Sequence, residues 1–186
     1  MSHYSSISGR EENDSVAKYD VTSSSYDQLY REEQFLKYKY VFLEKKLPLG
    51  KIILDVGCGT GLLIEFLDEY GLDKYEKYIC VEPSFSMLNL LMEKNIIDHR
   101  ILLVIGYGEY LPIIDNSVDN VFLFTVWDNV VDKEKLLNEV LRVVKPGGYV
   151  LISSLKKVNN IKPNMLLEGF KCLGCVIDCF YIYAKS

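Results

Sequence analysis

What this chain can fold into is constrained most by residues 51–67, KIILDVGCGTGLLIEFL, which join an apolar run, three close glycines and a helix-like continuation. Ile52–Val56 has the length and branched residues of a buried strand, and residues 61–70 predict a helix. Gly57 and Gly59 permit a tight turn and leave no Cβ in the way of a bound molecule. The free N–H groups of the following helix suit a polar or negatively charged ligand. The segment predicts a strand–turn–helix unit with a ligand at the turn, although a turn that only links the two elements has the same pattern.

The alternation of strand and helix patterns continues along the chain. Residues 26–47 carry apolar side chains at three- and four-residue spacing and predict an amphipathic helix that ends before Pro48. Ser84 is a suitable N-cap for a later helix. Alternating elements from residue 51 onward predict an α/β fold with right-handed crossovers, a mainly parallel sheet and helices on both faces. Further strands are expected at 78–81, 101–105, 121–125, 149–155 and 180–184, further helices at 84–94, 133–143 and 164–167, and a turn at 145–148.

The composition is that of an ordinary globular protein of 186 residues, with 49 % apolar and 25 % charged residues. We expect residues 1–15 to form a flexible tail and residues 16–186 a single domain, in which 16–47 are an N-terminal helical cap. The first residues lack the apolar core of a secretory signal, and no apolar run reaches the roughly 18 to 20 residues of a membrane span. A cytoplasmic protein without membrane contact is therefore expected.

The net charge of −5 and the two histidines narrow the function. Nucleic-acid binding is driven by clustered Lys and Arg, so this charge balance carries no strong nucleic-acid signature. Because His3 lies in the expected tail, a catalytic histidine would have to be His99. Histidine-based catalysis is therefore not expected.

The five cysteines favour packing over metal binding. Their odd number, without a secretory signal, fits reduced thiols. Cys172, Cys175 and Cys179 are close enough in sequence to bind zinc or an iron–sulfur cluster, but zinc needs a fourth ligand and no histidine lies nearby. The segment CLGCVIDCFYIYAKS alternates like a buried strand pair, in which cysteine serves as a small apolar residue. No metal site is therefore expected.

An acidic residue follows the second predicted strand. Glu82 lies about 25 residues after the first glycine, where a carboxylate accepts hydrogen bonds from both hydroxyls of a ribose. A solvated carboxylate at a strand end is the alternative. Met87, on the next helix, is placed either against an adenine or in the core.

Several motifs in order resemble one enzyme family. LDVGCGTG, then Glu82, GYGEYLP, TVWDNV and LRVVKPGGYVLIS are similar to the motifs of class I S-adenosylmethionine-dependent methyltransferases of the small UbiE-like type. The resemblance extends from about Tyr26 to the end of the chain. It implies a Rossmann-like, doubly wound fold with a mainly parallel seven-stranded sheet. It also implies S-adenosylmethionine as the cofactor.

The resemblance implies a cofactor site at the carboxyl ends of the strands, closed by an N-terminal segment. The implied residues are Asp55, Gly57, Cys58, Gly59 and Gly61 around the methionine part, Glu82 with Pro83 at the ribose, Met87, Gly108 and Glu109 along the adenine, Thr125 and Trp127 near the sulfonium, and Tyr26 and Tyr30 in the closing segment. A dehydrogenase has a similar acid after a similar loop. Its GxGxxG spacing is not met, however, since residue 62 is Leu. The spacing therefore favours S-adenosylmethionine over NAD.

The chain departs from the family pattern at two places. Tyr107 stands where the family has Asp, so it either stacks or bonds with the adenine, or simply packs. Trp127, Asp128 and Asn129 replace a His-rich stretch, which leaves Asp128 as the nearest candidate for a general base, with Tyr26 or Tyr30 as alternatives. A capping or turn role for Asp128 fits its position equally well. No NPPY-like motif follows the fourth strand, which weighs against amide or exocyclic nitrogens as acceptors.

The methyl acceptor is not identified by these motifs. About 30 residues follow the strand LISSL, and no inserted subdomain is available to recognise a large substrate. We expect either a small acceptor, or an RNA or protein acceptor whose site is completed by a partner, as in compact methyltransferases with a small zinc-binding activator subunit. The alternative is a methyltransferase-fold binding or regulatory subunit without activity of its own.

Overall fold

The structure, a computed structural model, describes residues 27–156 and 168–186. The expected tail, Tyr26 and the helix predicted at 164–167 lie outside the described residues. Seven strands are present: β1 (Ile52–Val56), β2 (Lys77–Glu82), β3 (Ile101–Ile105), β4 (Val118–Leu123), β5 (Val144–Leu155), β6 (Lys171–Cys175) and β7 (Asp178–Ala184). The helices are α1 (27–38, continued by a π-helix at Lys39–Glu44), α2 (Leu62–Glu69), α3 (Phe85–Glu93) and α4 (Lys133–Val143), with short 3₁₀ turns at Gly108–Tyr110 and Trp127–Asn129.

The seven strands form one sheet in the order β3-β2-β1-β4-β5-β7-β6. The first five strands pair in parallel, and β7 runs antiparallel to both of its neighbours, β5 and β6. The strand order reverses between β1 and β4, which is the place where ligands of such sheets bind. The predicted mainly parallel seven-stranded sheet is confirmed.

The sheet separates two apolar cores. On one face Ile53 and its neighbours pack against α1, α2 and α3, whose aromatic side chains include Phe66. On the other face Leu54 belongs to a cluster that includes Val140 of α4. Because successive strand residues point to opposite faces, adjacent positions of one strand serve different cores. None of the helices within 27–156 and 168–186 combines the length and apolarity that crossing a bilayer requires.

The helices predicted at 61–70, 84–94 and 133–143 are confirmed within one residue at each end. Ser84 caps α3 by accepting a hydrogen bond from the backbone N–H of Met87 at 3.2 Å. Local side-chain chemistry therefore fixes where this helix begins.

Two predicted boundaries after residue 120 are wrong. The strand predicted at 121–125 ends at Leu123, and Thr125 has a positive φ of 61° that no strand contains. The turn predicted at 145–148 lies inside β5, where the pairing register with β4 shifts. Gly147 donates its N–H to the carbonyl of Lys185 at 2.8 Å, so the segment is held against the C-terminal strand instead of reversing.

The C-terminal cysteines differ from the expectation of reduced, buried thiols. The predicted strand pair exists as β6 and β7, which pair in antiparallel register. However, Cys175 and Cys179 are joined in a disulfide, and Cys172 is exposed. The alternating pattern of this segment identified the hairpin, but β6 is an edge strand and buries little of it.

We expect Phe66→Ala to lower the free energy of unfolding by about 3–5 kcal/mol, because a large side chain is removed from a packed core. The Phe66 ring is fully buried and lies 5.3 Å from Phe35 and 4.5 Å from Tyr70, measured between ring centroids. Phe85→Ala is the matched control, since Phe85 is 58 % exposed and its loss should change the stability by less than roughly 0.5 kcal/mol. Urea denaturation followed by circular dichroism measures both. Equal losses in the two variants would contradict the assigned core.

Candidate functional site

A cleft lies along the carboxyl ends of β1, β2, β3 and β4 and has an empty volume of about 810 Å³, part of it open to solvent. Each of these strands contributes the segment that follows it. Among the residues implied from the sequence, the cleft is lined by Gly57, Gly59, Glu82, Pro83, Met87, Tyr107, Gly108, Glu109 and Thr125. The structure therefore brings most of the implied cofactor residues together.

The three glycines of the turn have different physical roles. All have positive φ, at 72° for Gly57, 55° for Gly59 and 78° for Gly61. A Cβ at Gly57 would overlap Val126, and a Cβ at Gly61 would overlap Leu91. Only at Gly59 would a Cβ meet no atom within 4 Å, because this residue faces the cleft. Open space for a ligand is therefore a property of Gly59, whereas Gly57 and Gly61 allow close packing of the protein itself.

Glu82 holds the glycine turn against the end of β2. Its Oε2 accepts the N–H of Gly59 at 3.0 Å, and its Oε1 accepts the N–H of Ser84 at 2.9 Å. The carboxylate is nearly buried yet belongs to the cleft wall. It therefore fixes the shape of the turn and also places negative charge beside the space in front of Gly59.

Asp55 supports the turn from below and does not line the cleft. Its Oδ2 accepts a hydrogen bond from the hydroxyl of Tyr78 at 2.8 Å. Burial raises the pKa of the Asp55 carboxyl to about 7; the Tyr78 hydrogen bond lowers this pKa and the charge of Glu82 raises it. Cys58 is buried here too, and burial raises the pKa of its thiol. Both residues are buried behind the cleft lining and support the glycine turn from the protein interior.

The segment after β3 forms another wall of the cleft. Tyr107, Gly108 and Glu109 line it, and Glu109 is nearly buried. A Cβ at Gly108 would collide with Leu136 and Val56, so glycine lets this wall approach β1 and α4. Tyr107 thus occupies the wall position where the family pattern has an acid.

The segment after β4 forms the apolar end of the cleft, and sequence reasoning found only part of it. Thr125 lines the cleft as expected, whereas Trp127 is buried in the core beside α4 and does not. The missed lining residues of this segment are Phe124, Val126, Asn129, Val130 and Val131. Val126, Asn129 and Val130 lie within TVWDNV, and Phe124 and Val131 flank it, so this motif was the one available signal.

Asp128 and Tyr30 lie outside the cleft lining. Asp128 Oδ2 accepts the N–H of Leu155 at 2.7 Å and the hydroxyl of Ser154 at 3.0 Å, which ties the segment after β4 to β5. Tyr30 is 41 % exposed on α1. Tyr26 cannot be placed, since it lies outside the described residues.

An ionic cluster holds the start of α1 over the glycine turn. Lys94 Nζ lies 2.5 Å from Asp27 Oδ2 and donates to the carbonyl of Thr60 at 2.7 Å. Asp27 also accepts a hydrogen bond from the hydroxyl of Thr60. The N-terminal helix is therefore tied directly to the turn that lines the cleft.

The charge of the cleft suits a cation or a hydroxyl-rich ligand. Its charged lining residues are Glu82 and Glu109, and no Lys, Arg or His is found among the described residues that line it. Nor does the described part of the chain contain a cluster of three His, Cys, Asp or Glu side chains arranged to hold a metal ion.

Comparisons with known proteins identify the family to which this chain is similar. A family model described as "Methyltransferase domain" matches residues 54–152. The malonyl-[acyl-carrier protein] O-methyltransferase of Marinomonas sp. is 32 % identical over 145 residues, which cover 75 % of this chain and 51 % of that protein. A ubiquinone/menaquinone biosynthesis C-methyltransferase of Campylobacter jejuni is 30 % identical over 74 % of this chain and 57 % of its own length. The chain thus spans about half the length of these curated relatives.

Solved structures show the same fold. A SAM-dependent methyltransferase from Aquifex aeolicus superimposes with a TM-score of 0.63 at 25 % identity, covering 92 % of this chain and 96 % of that one. A complex of the Haloferax volcanii Trm112 methyltransferase activator with a putative methyltransferase gives a TM-score of 0.64 at 20 % identity, over 73 % of this chain and 59 % of that one. The second likeness concerns the fold alone.

We expect Asp55→Asn to make the free energy of unfolding less dependent on pH. The wild type loses stability through this carboxyl group as the pH rises, and the variant lacks the group. The folded-state pKa of about 7 lies above the ordinary value of 3.8, so folding favours the neutral carboxyl. This contribution is complete below pH 3.8 and is lost as pH rises through about 7. Asn stays neutral and still accepts from Tyr78. Urea midpoints between pH 5 and 8 should fall more steeply for the wild type than for the variant, and parallel curves would contradict the assignment.

Proposed function

The chain belongs to the methyltransferase domain family, and we propose that it transfers a methyl group from S-adenosylmethionine to an acceptor held beside residues 124–131. The cofactor S-adenosylmethionine supplies a methyl group on a cationic sulfonium.

The observation that carries the proposal is the pairing of Gly59 and Glu82 on one wall of the cleft. At Gly59 the wall is open where a side chain would otherwise project, and Glu82 places a carboxylate directly beside it. Gly59 follows β1, beside the point where the strand order reverses, and Glu82 ends the neighbouring strand β2. A carboxylate at the end of the second strand is suited to accept hydrogen bonds from ribose hydroxyls. The residues present therefore fit a nucleoside-containing cation.

Each wall of the cleft would contact a different part of the cofactor. The N–H groups of the first turn of α2 suit the carboxylate of the methionine part. Met87 and residues 107–109 would lie along the adenine, and Thr125 near the reacting methyl group. The acidic charge of Glu82 and Glu109 favours a cationic ligand over an anion of the same shape.

Methyl transfer is a displacement at carbon, so the protein must chiefly align the acceptor and exclude water. The apolar side chains of Val126, Val130 and Val131 suit both tasks at the end of the cleft. Asp128 uses its carboxylate to hold the backbone of β5. We therefore assign Asp128 the role of anchoring the segment after β4, and an acceptor that is nucleophilic without a base fits the site.

A small activator subunit is part of the proposal. β3 is an edge strand whose side chains Leu102 and Ile105 are 47 % and 62 % exposed, and Phe85 and Met92 of the neighbouring helix α3 are exposed as well. An open edge with apolar side chains suits a partner that adds a strand. Co-expression with a small zinc-binding activator should raise cofactor affinity in the wild type and not in Ile105→Lys. An equal effect on both would remove the edge of β3 from the proposal.

We expect Glu82→Ala and Gly59→Arg to abolish measurable binding of S-adenosylmethionine in calorimetric titrations in which the wild type binds and NADH does not. Loss of a charged hydrogen-bond partner costs roughly 1.5–3 kcal/mol, and Arg at residue 59 would fill the cleft. Glu82→Gln, which keeps an acceptor oxygen, should show an intermediate affinity.

Gly71→Arg is the matched control for Gly59→Arg. Gly71 has a φ of 64° and an equally open surrounding, so Arg there adds the same backbone strain outside the cleft. This variant should bind like the wild type. Unchanged affinity in both Glu82→Ala and Gly59→Arg would reject the site, and absence of binding in the wild type, with and without the activator, would reject the function.

A further inference from the structure

A buried polar network lies behind Thr125, at the apolar end of the cleft. Lys37 Nζ lies 3.0 Å from Asp178 Oδ2, and neither side chain is exposed to solvent. Ser153 donates its hydroxyl to the same oxygen at 2.8 Å. Lys37 and Gln34 each donate to Thr125 Oγ1 at 3.1 Å. Three distant elements, α1, β5 and β7, thus meet at one residue of the cleft wall.

Thr125 is held in a conformation that the network determines. It is a β-branched residue with φ of 61°, a region that such residues avoid. Its N–H donates to Ser153 Oγ at 2.7 Å, and its carbonyl accepts from Asn129 Nδ2 at 3.1 Å. Strained residues persist when their surroundings over-determine them, and they cluster at ligand sites. The network therefore places the wall residue that faces the reacting end of the cleft.

Within residues 27–156 and 168–186, two buried oxygens of the network accept no hydrogen bond: Gln34 Oε1 and Asp178 Oδ1. Both are acceptors that lie behind the cleft wall, so their negative partial charges favour a cation or a hydrogen-bond donor at the neighbouring end of the cleft. The positive charge of Lys37 is already matched by Asp178 and by Glu33 at 2.7 Å. The potential at this end of the cleft is therefore unfavourable for a carboxylate or a phosphate.

We propose that Asp178, acting through Thr125, sets the charge preference of the acceptor site, and that the acceptor is an amine with an apolar body, whose neutral nitrogen attacks the methyl group without a base and loses its extra proton to solvent afterwards. This inference rests on the proposed methyl transfer. Val126, Val130 and Val131 supply the apolar surface for the body of the acceptor. Asp178 is a positioning residue, since its side chain lies behind the wall rather than on it.

The test uses benzylamine, benzyl alcohol and benzoate as probes, titrated calorimetrically into protein saturated with S-adenosylhomocysteine. The amine and the alcohol should bind at least about tenfold more tightly than benzoate, as expected for one charge interaction across about 10 Å near a protein surface. Asp178→Asn should weaken the binding of benzylamine about tenfold. It should therefore reduce or reverse the difference in affinity between benzylamine and benzoate. Asp115→Asn, an exposed site, should change nothing.

The outcomes separate a charge preference from a structural role. The proposal is wrong if Asp178→Asn weakens the binding of all three probes by the same factor. It is also wrong if benzoate binds to the wild type as tightly as benzylamine does, or if no probe binds. The double variant Lys37→Met/Asp178→Asn removes both buried charges, so it keeps the test valid if the single variant unfolds, and it should also lose the preference for benzylamine. Failure of the wild type to bind S-adenosylhomocysteine would instead refute the proposed function.

Discussion

The left-handed backbone of the glycine turn is the constraint on which the rest of the site depends. At Gly57 and Gly61 the absence of a side chain lets Val126 and Leu91 approach the turn, so the segment after β4 and helix α3 close around it. At Gly59 the same backbone conformation leaves free space in the cleft. A turn of ordinary residues would hold these elements apart, and the walls of the cleft would not face one another.

Carboxyl groups are concentrated around this turn, and each is accommodated in a different way. The Glu82 carboxyl group, beside the cleft, accepts hydrogen bonds from the backbone N–H groups of Gly59 and Ser84. Asp55, in the apolar foundation, has its pKa raised to about 7 by burial, so folding favours its neutral form. Burying charge is costly unless it is hydrogen-bonded or neutralised, and the site uses both solutions. The result is a cleft whose remaining negative potential suits a cationic ligand.

At the apolar end of the cleft, the local structure adds little to the free energy of folding or opposes it. Thr125 in its left-handed conformation carries strain of order 1–3 kcal/mol, and a buried ion pair such as Lys37 with Asp178 adds little net stability. An apolar arrangement of the same shape would be at least as stable. That these polar residues meet behind the cleft wall is the reason for assigning them to ligand selection instead of folding.

Sequence patterns failed where local composition and long-range pairing disagree. KPGG has the composition of a turn, but Gly148 accommodates the carbonyl of Asp119 and Gly147 bonds to Lys185, so the segment joins β5. The C-terminal cysteines alternate like core residues, yet they lie on a hairpin whose strand β6 forms the edge of the sheet, where Cys172 and Cys175 are exposed. In both cases the deciding neighbours are remote in sequence, and no local periodicity records them.

By itself the sequence determined that the glycine turn, Glu82 and residues 107–109 meet at one edge of the sheet, because each follows a parallel strand and the carboxyl ends of such strands lie together. The tertiary structure alone decided the arrangement at the apolar end of the cleft. Lys37 and Thr125 are 88 positions apart, and Asp178 reaches them because β7 inserts next to β5. Contacts of this kind depend on how the elements are packed around the sheet, which short-range spacing does not encode.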